Sequence, residues 1–377
     1  MDGHDEFSLD PGIIYLNHAA VAPWPRRTVD AVCAFAEENL RYGSRNYPRW
    51  VQTELQLRER LARLINVGSA ADIGLLKSTS EGLSVIAYGL DWQPGDNVVS
   101  AREEFPSNRL PWDSLRARGV ALRLADLSGP DSPEDALLAL TDHRTRLVSI
   151  SAVQYASGLR MDLERLGAEC RARGILFCVD AIQAIGAVCF DAQAVSADFV
   201  VADGHKWMLG PEGLAVFYVR PELRERLRLH QYGWHMVEAA GDFDRDDWAP
   251  AASARRFECG SPNMLGIHGL NASLSLLEEL GMDMVERTVI NNVQYLIENL
   301  ERIDEISICS PVTPGRFAGI VAFRPRHSHP EGLFQALQQA GIQCALRGGC
   351  VRFSPHFHTS DSQLDAALDR VRAYVVD

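Results

Sequence analysis

The stretch Val200-Val201-Ala202-Asp203-Gly204-His205-Lys206-Trp207-Met208-Leu209-Gly210-Pro211 decides how the chain is read. It begins as continuous apolar strand material, is punctuated by Asp-Gly, and then sets a lysine among Trp, Met and Leu. An apolar run at 199–202 without polar alternation is the pattern of a strand buried on both faces. The same pattern recurs upstream at 175–179, ending at Asp180, and at 147–152, 97–100 and 73–76; downstream it recurs at 214–219. Helical spacing separates several of these runs, at 83–90 and 163–173, and residues 26–65 also read as helical. Strands alternating with helices predict an α/β fold with a mainly parallel sheet covered on both faces.

After about residue 220 the pattern changes. Residues 231–250 are polar with interspersed Trp and read as loop, and 267–300 reads as one long helix. Strand, helix, strand and helix then follow at 319–323, 330–339, 350–354 and 361–374, the outline of a smaller α+β domain. The expected division is a large domain over 14–260 and a small one over 261–377, with residues 1–30 packing near the latter.

Composition sets outer limits. Of 377 residues, 46% are hydrophobic and 23% charged, the balance of a globular protein. A formal charge of −13 argues against a nucleic-acid or anionic-membrane partner. No run approaches the roughly 20 apolar residues of a membrane span, and the acidic N-terminus does not read as a signal peptide. The eight cysteines form no C-x-x-C pair or zinc-type cluster, so no metal site is expected. Reduced thiols in a cytoplasmic protein are the expectation.

Ligands of open parallel sheets bind beyond the carboxyl ends of the strands. Three groups fall at such ends: Thr79-Ser80-Glu81-Gly82, Asp180 with Gln183, and His205-Lys206. Each has a plain reading beside a chemical one. Lys206 is either a solvated loop lysine or an amine desolvated for attack on a carbonyl. Asp180 is either a helix cap or a carboxylate awaiting a cationic partner. Ser78 with Glu81 makes a capping box, yet a hydroxyl-rich helix start also suits a phosphate.

In this order the set resembles the fold-type I enzymes of pyridoxal 5′-phosphate (PLP). More closely, it is similar to the class V aminotransferase family, which includes cysteine desulfurases, isopenicillin-N-epimerase-like proteins and kynureninase. The likeness runs from Tyr15-Leu16-Asn17-His18-Ala19-Ala20 to Phe353-Ser354-Pro355-His356-Phe357 and is most specific at Val179-Asp180-Ala181-Ile182-Gln183-Ala184-Ile185-Gly186 and Asp203-Gly204-His205-Lys206-Trp207. It implies a seven-stranded large domain. It also implies a Schiff base on Lys206, Asp180 against the pyridine nitrogen, Gln183 on the phenolic oxygen, and His205, Thr79 and Ser80 around the phosphate. Phe105 would stack on the ring, where desulfurases usually carry His, and Tyr155 would face its edge. Ser261 would reach the phosphate of a partner chain in a homodimer. Arg352, with Arg347 as a second candidate, would bind the carboxylate of an amino-acid or keto-acid substrate.

Two departures stand out. Many relatives have Ser in place of Asp203, so an anion there is expected to point away from a phosphate. The interval Cys344-Ala345-Leu346-Arg347-Gly348-Gly349-Cys350-Val351-Arg352 is too short for the mobile cysteine loop of desulfurases, and Cys350 reads as a buried, inert thiol. The activity expected from the likeness is that of an aminotransferase. The alternatives are a carbon–sulfur lyase, a desulfurase-like enzyme, an epimerase, or a catalytically silent binding protein on the same fold.

Overall fold

The computed structural model describes residues 3–376. A two-residue strand, β1 (Ile14–Tyr15), precedes two helices, α1 (Arg26–Tyr42) and α2 (Tyr47–Leu64). The expected helix over 26–65 is thus broken, because Gly43 takes φ 54° and closes α1. The large sheet begins with β2 (Ile73–Leu76). It continues, with helices between, through α3 (Thr79–Gly89), β3 (Asn97–Ala101), α4 (Leu110–Asp113), β4 (Ala121–Ala125), α5 (Pro133–Ala139) and β5 (Thr145–Ser151). It is completed by α6 (Leu163–Ala172), β6 (Leu176–Asp180), β7 (Phe199–Asp203) and β8 (Ala215–Val219).

The strand order is β2-β8-β7-β6-β5-β3-β4. All neighbours are parallel except those of β8, which runs against both β2 and β7. The seven-stranded, mainly parallel sheet is therefore as expected. The β7 and β8 strands are buried at every position, and β6 at all but its first, which explains their unbroken apolar runs.

Beyond the sheet, α7 (Met264–Leu280) and α8 (Met282–Leu300) replace the single helix expected over 267–300. The break is Gly281 at φ 79°, with Met282 opening the next helix at once. The helix α7 lies against α1 and α2. A second sheet then forms from β9 (Ile306–Ile308) and β10 (Val321–Pro325) and, after α9 (Pro330–Gln339) and the short β11 (Ile342–Gln343), from β12 (Ala345–Arg347) and β13 (Cys350–Phe353). Its order is β12-β13-β10-β9, all antiparallel, and α10 (Asp361–Val376) closes the chain. The strand β1 pairs in parallel with β11, so the N-terminal segment joins this region. No helix among the described residues is long and apolar enough to cross a membrane.

One expectation about sulfur is corrected. Cys350 is not a free thiol: it forms a disulfide with Cys309, 41 residues away, at the end of β9. Both cysteines flank the central strand β10, where Ala322 accepts from the Cys309 N–H (2.7 Å) and lies opposite Arg352. The other six cysteines are free.

Trp207 locks the two sheets to each other. It is fully buried, and Gly186 and Gly319 press on it from two sides. A Cβ on Gly319 would fall 2.2 Å from the indole ring, and one on Gly186 2.3 Å from the Trp207 carbonyl. The indole N–H donates to Gln183 Oε1 (2.7 Å), so this packing also positions a candidate site residue. Gly319→Ala is expected to cost about 1–3 kcal/mol through overpacking, read as a lower melting temperature. An unchanged melting curve contradicts the described clamp.

Candidate active site

The crevice lies at the carboxyl ends of β6 and β7, as the strand-end rule requires. Asp180 is the last residue of β6, and Lys206 follows β7 in a tight turn. That turn is pinned by Gly210 N–H to Gly204 O (2.8 Å), Leu209 N–H to Lys206 O (3.1 Å) and Ala22 N–H to His205 O (2.8 Å). Lys206 Nζ sits 5.8 Å from the centre of the Phe105 ring. Phe105 in turn meets Tyr155 edge-on at 5.2 Å and is 43% exposed, a ring presented to the crevice mouth. Arg352 reaches in from β13 and donates from Nη1 to Tyr155 O (2.6 Å). Five separate chain segments thus bring Asp180, Lys206, Phe105, Tyr155 and Arg352 together.

The charges are unusual for a protein interior. Burial lowers the Lys206 pKa to about 8 against the ordinary 10.5; Asp180 opposes this shift and Arg352 adds to it. Burial, aided by Glu104, raises that of Asp180. One Asp180 oxygen accepts from Ile182 N–H (3.1 Å), so the turn-capping reading and the chemical one hold together. Arg352 is 1% exposed, its Nε has no hydrogen-bond partner, and among the described residues no carboxylate pairs with it. Arg347 lies at the end of β12, exposed, and its side chain donates to Leu346 O (2.8 Å), yet its charge is felt at both Lys206 and Arg352.

At the other end of the crevice, the start of α3 is a capping box. Ser78 Oγ accepts from Glu81 N–H (3.2 Å), and a Glu81 oxygen accepts from Lys77 N–H (2.6 Å). Asp203 clasps the next residue: its Oδ2 accepts from Thr79 N–H (3.0 Å), and its own N–H donates to Thr79 Oγ1 (3.1 Å). The Asp203 carboxylate is therefore tied to the start of α3, and its Oδ1 lies 3.9 Å from His205 Nδ1, so it does not point away from the expected phosphate end. Ser80 is exposed and donates to Ser107 Oγ (2.8 Å). His205 Nδ1 is buried without a hydrogen bond, and burial lowers its pKa to about 4. Gln183 gives one amide N–H to Ala19 O (3.0 Å) and retains a second. Ser261 is exposed, outside this cluster, on the segment anchored by Arg58, which bridges Glu54 (2.5 Å) and Glu258 (2.7 Å).

These residues fit PLP on chemical grounds. An orphaned guanidinium nitrogen, an orphaned imidazole nitrogen and hydroxyls at a helix start suit anionic groups at two ends of a ring. A desolvated lysine and a buried carboxylate lie between them.

One feature escapes sequence reading, a buried network around Glu104, reached from Ser151, Gln154 and Asn108. Glu104 and Asn108 stand beside Phe105 in one short stretch, but Ser151 and Gln154 lie 47 and 50 positions away, and no local pattern reports them. His18, His356 and His358, which a sequence reading takes as structural sooner than catalytic, cluster beneath Trp207. His18 Nε2 and His358 Nε2 lie 2.9 Å apart, and His356 Nε2 meets Trp207 O at 3.1 Å, a packing role beneath the crevice.

The pH dependence of Lys206 follows from its surroundings. As pH rises through about 8 the amine loses its proton, so cofactor-free protein should capture PLP with a half-maximal rate near that value. Asp180→Asn removes the anion that retains the proton and should move the midpoint down; Arg352→Gln removes a repelling cation and should move it up. A midpoint near 10.5 in all three contradicts the buried placement.

Comparison with known proteins accords with this geometry. Residues 14–366 match the family model described as Aminotransferase class-V. A probable cysteine desulfurase of Methanothermobacter thermautotrophicus is 30% identical, over 93% of this chain and 92% of its own. A cysteine desulfurase of Salmonella agona is 31% identical, over 89% and 83%. Two structures of C-DES superpose with a TM-score of 0.89 at 21% and 22% identity, each over 96% of this chain and 97% or 98% of its own. One has glycine covalently linked to PLP, and the other is a complex of this cystine C–S lyase with its product cysteine persulfide. The cofactor is PLP, and the chain belongs to the class V aminotransferase family.

Proposed function

We propose that this chain cleaves the carbon–sulfur bond of a cysteine-class amino acid, with PLP held on Lys206. The observation that carries the reading is Arg352, a fully buried cation beside Lys206 with no carboxylate of its own. A planar guanidinium there suits the α-carboxylate of an amino acid. The names of the relatives favour sulfur chemistry over the aminotransferase expectation.

PLP, when bound, acts as an electron sink for charge developing at Cα. The residues of the chain do the rest. Arg352 orients the substrate, Asp180 faces the ring nitrogen, and Gln183 its phenolic oxygen. His205, Ser80 and the Thr79 hydroxyl take the phosphate, with Ser261 of a second copy crossing over in a homodimer. Exposed Tyr232, Phe243 and Trp248 on the segment before it give such an interface apolar surface. Lys206, with a pKa close to neutrality, takes the Cα proton and can return one to the departing sulfur. Phe105 has no proton to offer for that second task.

The sulfur leaves as a small molecule and is not passed to a protein thiol. Arg347 and Cys350 are directly paired across a two-glycine turn, both glycines at positive φ, which gives Cys350 no reach. Cys350 is also in the disulfide with Cys309. Cys344 is buried, and its pKa is pushed up to about 12.

Product analysis on cysteine and cystine separates the readings. Sulfide or small-molecule persulfide with pyruvate and ammonia is expected. Alanine with a protein-bound persulfide would identify a desulfurase, and keto-acid without sulfur release an aminotransferase. Arg352→Ala should raise KM roughly 30-fold or more, from the loss of a buried charge partner. Cys344→Ser and Cys350→Ser should keep near-normal turnover, and loss of activity in either with the fold intact contradicts the proposal.

A further inference from the structure

We propose that Glu104 is a positioning residue that keeps the cofactor's ring nitrogen protonated, its buried negative charge acting through Asp180. This rests on the reading that Asp180 faces that nitrogen.

Glu104 accepts four hydrogen bonds. Its Oε1 takes Ser151 N–H (2.7 Å) and Gln154 Nε2 (2.7 Å), and its Oε2 takes Ser151 Oγ (2.5 Å) and Asn108 Nδ2 (3.0 Å). Burial raises the Glu104 pKa, and the four donors from Ser151, Gln154 and Asn108 oppose that shift and favour the ionised carboxylate. Asn108 cannot turn its amide round, because its Oδ1 already holds Trp112 Nε1 (3.1 Å) and Ser149 Oγ (2.6 Å). Glu104 is 3% exposed, and among the described residues no Lys, Arg or His pairs with it. An unpaired buried charge is costly, by several kcal/mol. A neutral side chain could hold the same loop, so the charge itself calls for a role.

Its position supplies one. Ser151, which gives Glu104 two bonds, is the register partner of Asp180 on the adjoining strand. Glu104 therefore lies one strand from Asp180 in a dry environment, where a unit charge is weakly screened. The charged groups around Asp180 are Glu104, Lys206 and Asp203. With the amine of Lys206 committed to the cofactor, Glu104 and Asp203 remain, and Asp203 is tied to the α3 start. Two carboxylates then face a single ring proton. The raised pKa of Asp180, from burial first and Glu104 second, has the sign this arrangement requires. The same network also fixes Phe105, the next residue, over the crevice.

The test uses holoenzyme carrying PLP labelled with 15N in the ring, its nitrogen signal followed against pH. In Glu104→Gln the ring nitrogen should lose its proton about one to two pH units below the parent, the effect of a unit charge at this range through a protein interior. Glu104→Asp, which keeps the charge, should restore most of the difference. Asp180→Asn should shift the signal further. A midpoint unchanged in Glu104→Gln but moved in Asp180→Asn reduces Glu104 to a structural role and overturns the inference. No movement in either removes the reading of Asp180 as well. Should Glu104→Gln fail to fold, the parent protein with 13C-labelled glutamate carboxyls decides. The Glu104 signal, identified as the one lost in Glu104→Asp, must remain ionised at neutral pH, and a protonated Glu104 rules the proposal out.

Discussion

Two cations, the half-buried Lys206 and the fully buried Arg352, lie within reach of each other's charge, and the site is organised around that repulsion. Left alone they would drive water into the crevice or force Lys206 to stay neutral. The molecule settles on a partial solution: Asp180 balances Lys206 and, among the described residues, no carboxylate balances Arg352. The remaining positive charge is what an anionic substrate would neutralise. A lysine that releases its proton near neutrality follows from the same arrangement and is what carbonyl chemistry requires.

The fold maintains this geometry from both sides. The large sheet supplies Asp180 and Lys206 at adjacent strand ends, and the smaller sheet supplies Arg352 from β13. The loop after β5 joins them. Tyr155 O takes Arg352, and Ser157 O takes Ser310 Oγ (2.5 Å), which follows Cys309. The disulfide between Cys309 and Cys350 ties these two contacts to each other. Trp207, pressed between Gly186 and Gly319, holds the turn after Lys206 and the amide of Gln183 in register with both sheets.

Much of this was legible in the sequence because it is local. Continuous apolar runs reported buried strands, and residues that end such runs marked the crevice. What was not legible depends on distant pairing. A buried strand looks alike in either direction, so the reversal of β8 left no trace. The short strand β4 lies at the sheet edge with Arg123 and is exposed at its first residue, which blurs its pattern. The breaks at Gly43 and Gly281 had a signal in the glycines themselves, overridden by the helical spacing on either side. The Glu104–Ser151 contact and the Cys309–Cys350 disulfide join residues 47 and 41 positions apart. The clasp on Thr79 was not legible either: Asp203 takes its N–H and donates to its Oγ1, which leaves the Thr79 hydroxyl proton as a donor.

The chain contains two lysines, Lys77 and Lys206, which makes the central claim simple to test. Lys77 is exposed beside the capping box of α3; Lys206 is set deep in the crevice. Borohydride reduction of the PLP-loaded protein, followed by peptide mapping, should place the pyridoxyl group on the peptide containing His205-Lys206-Trp207 and nowhere else. A label on Lys77, or on neither lysine, contradicts the assignment and the account of the site built upon it.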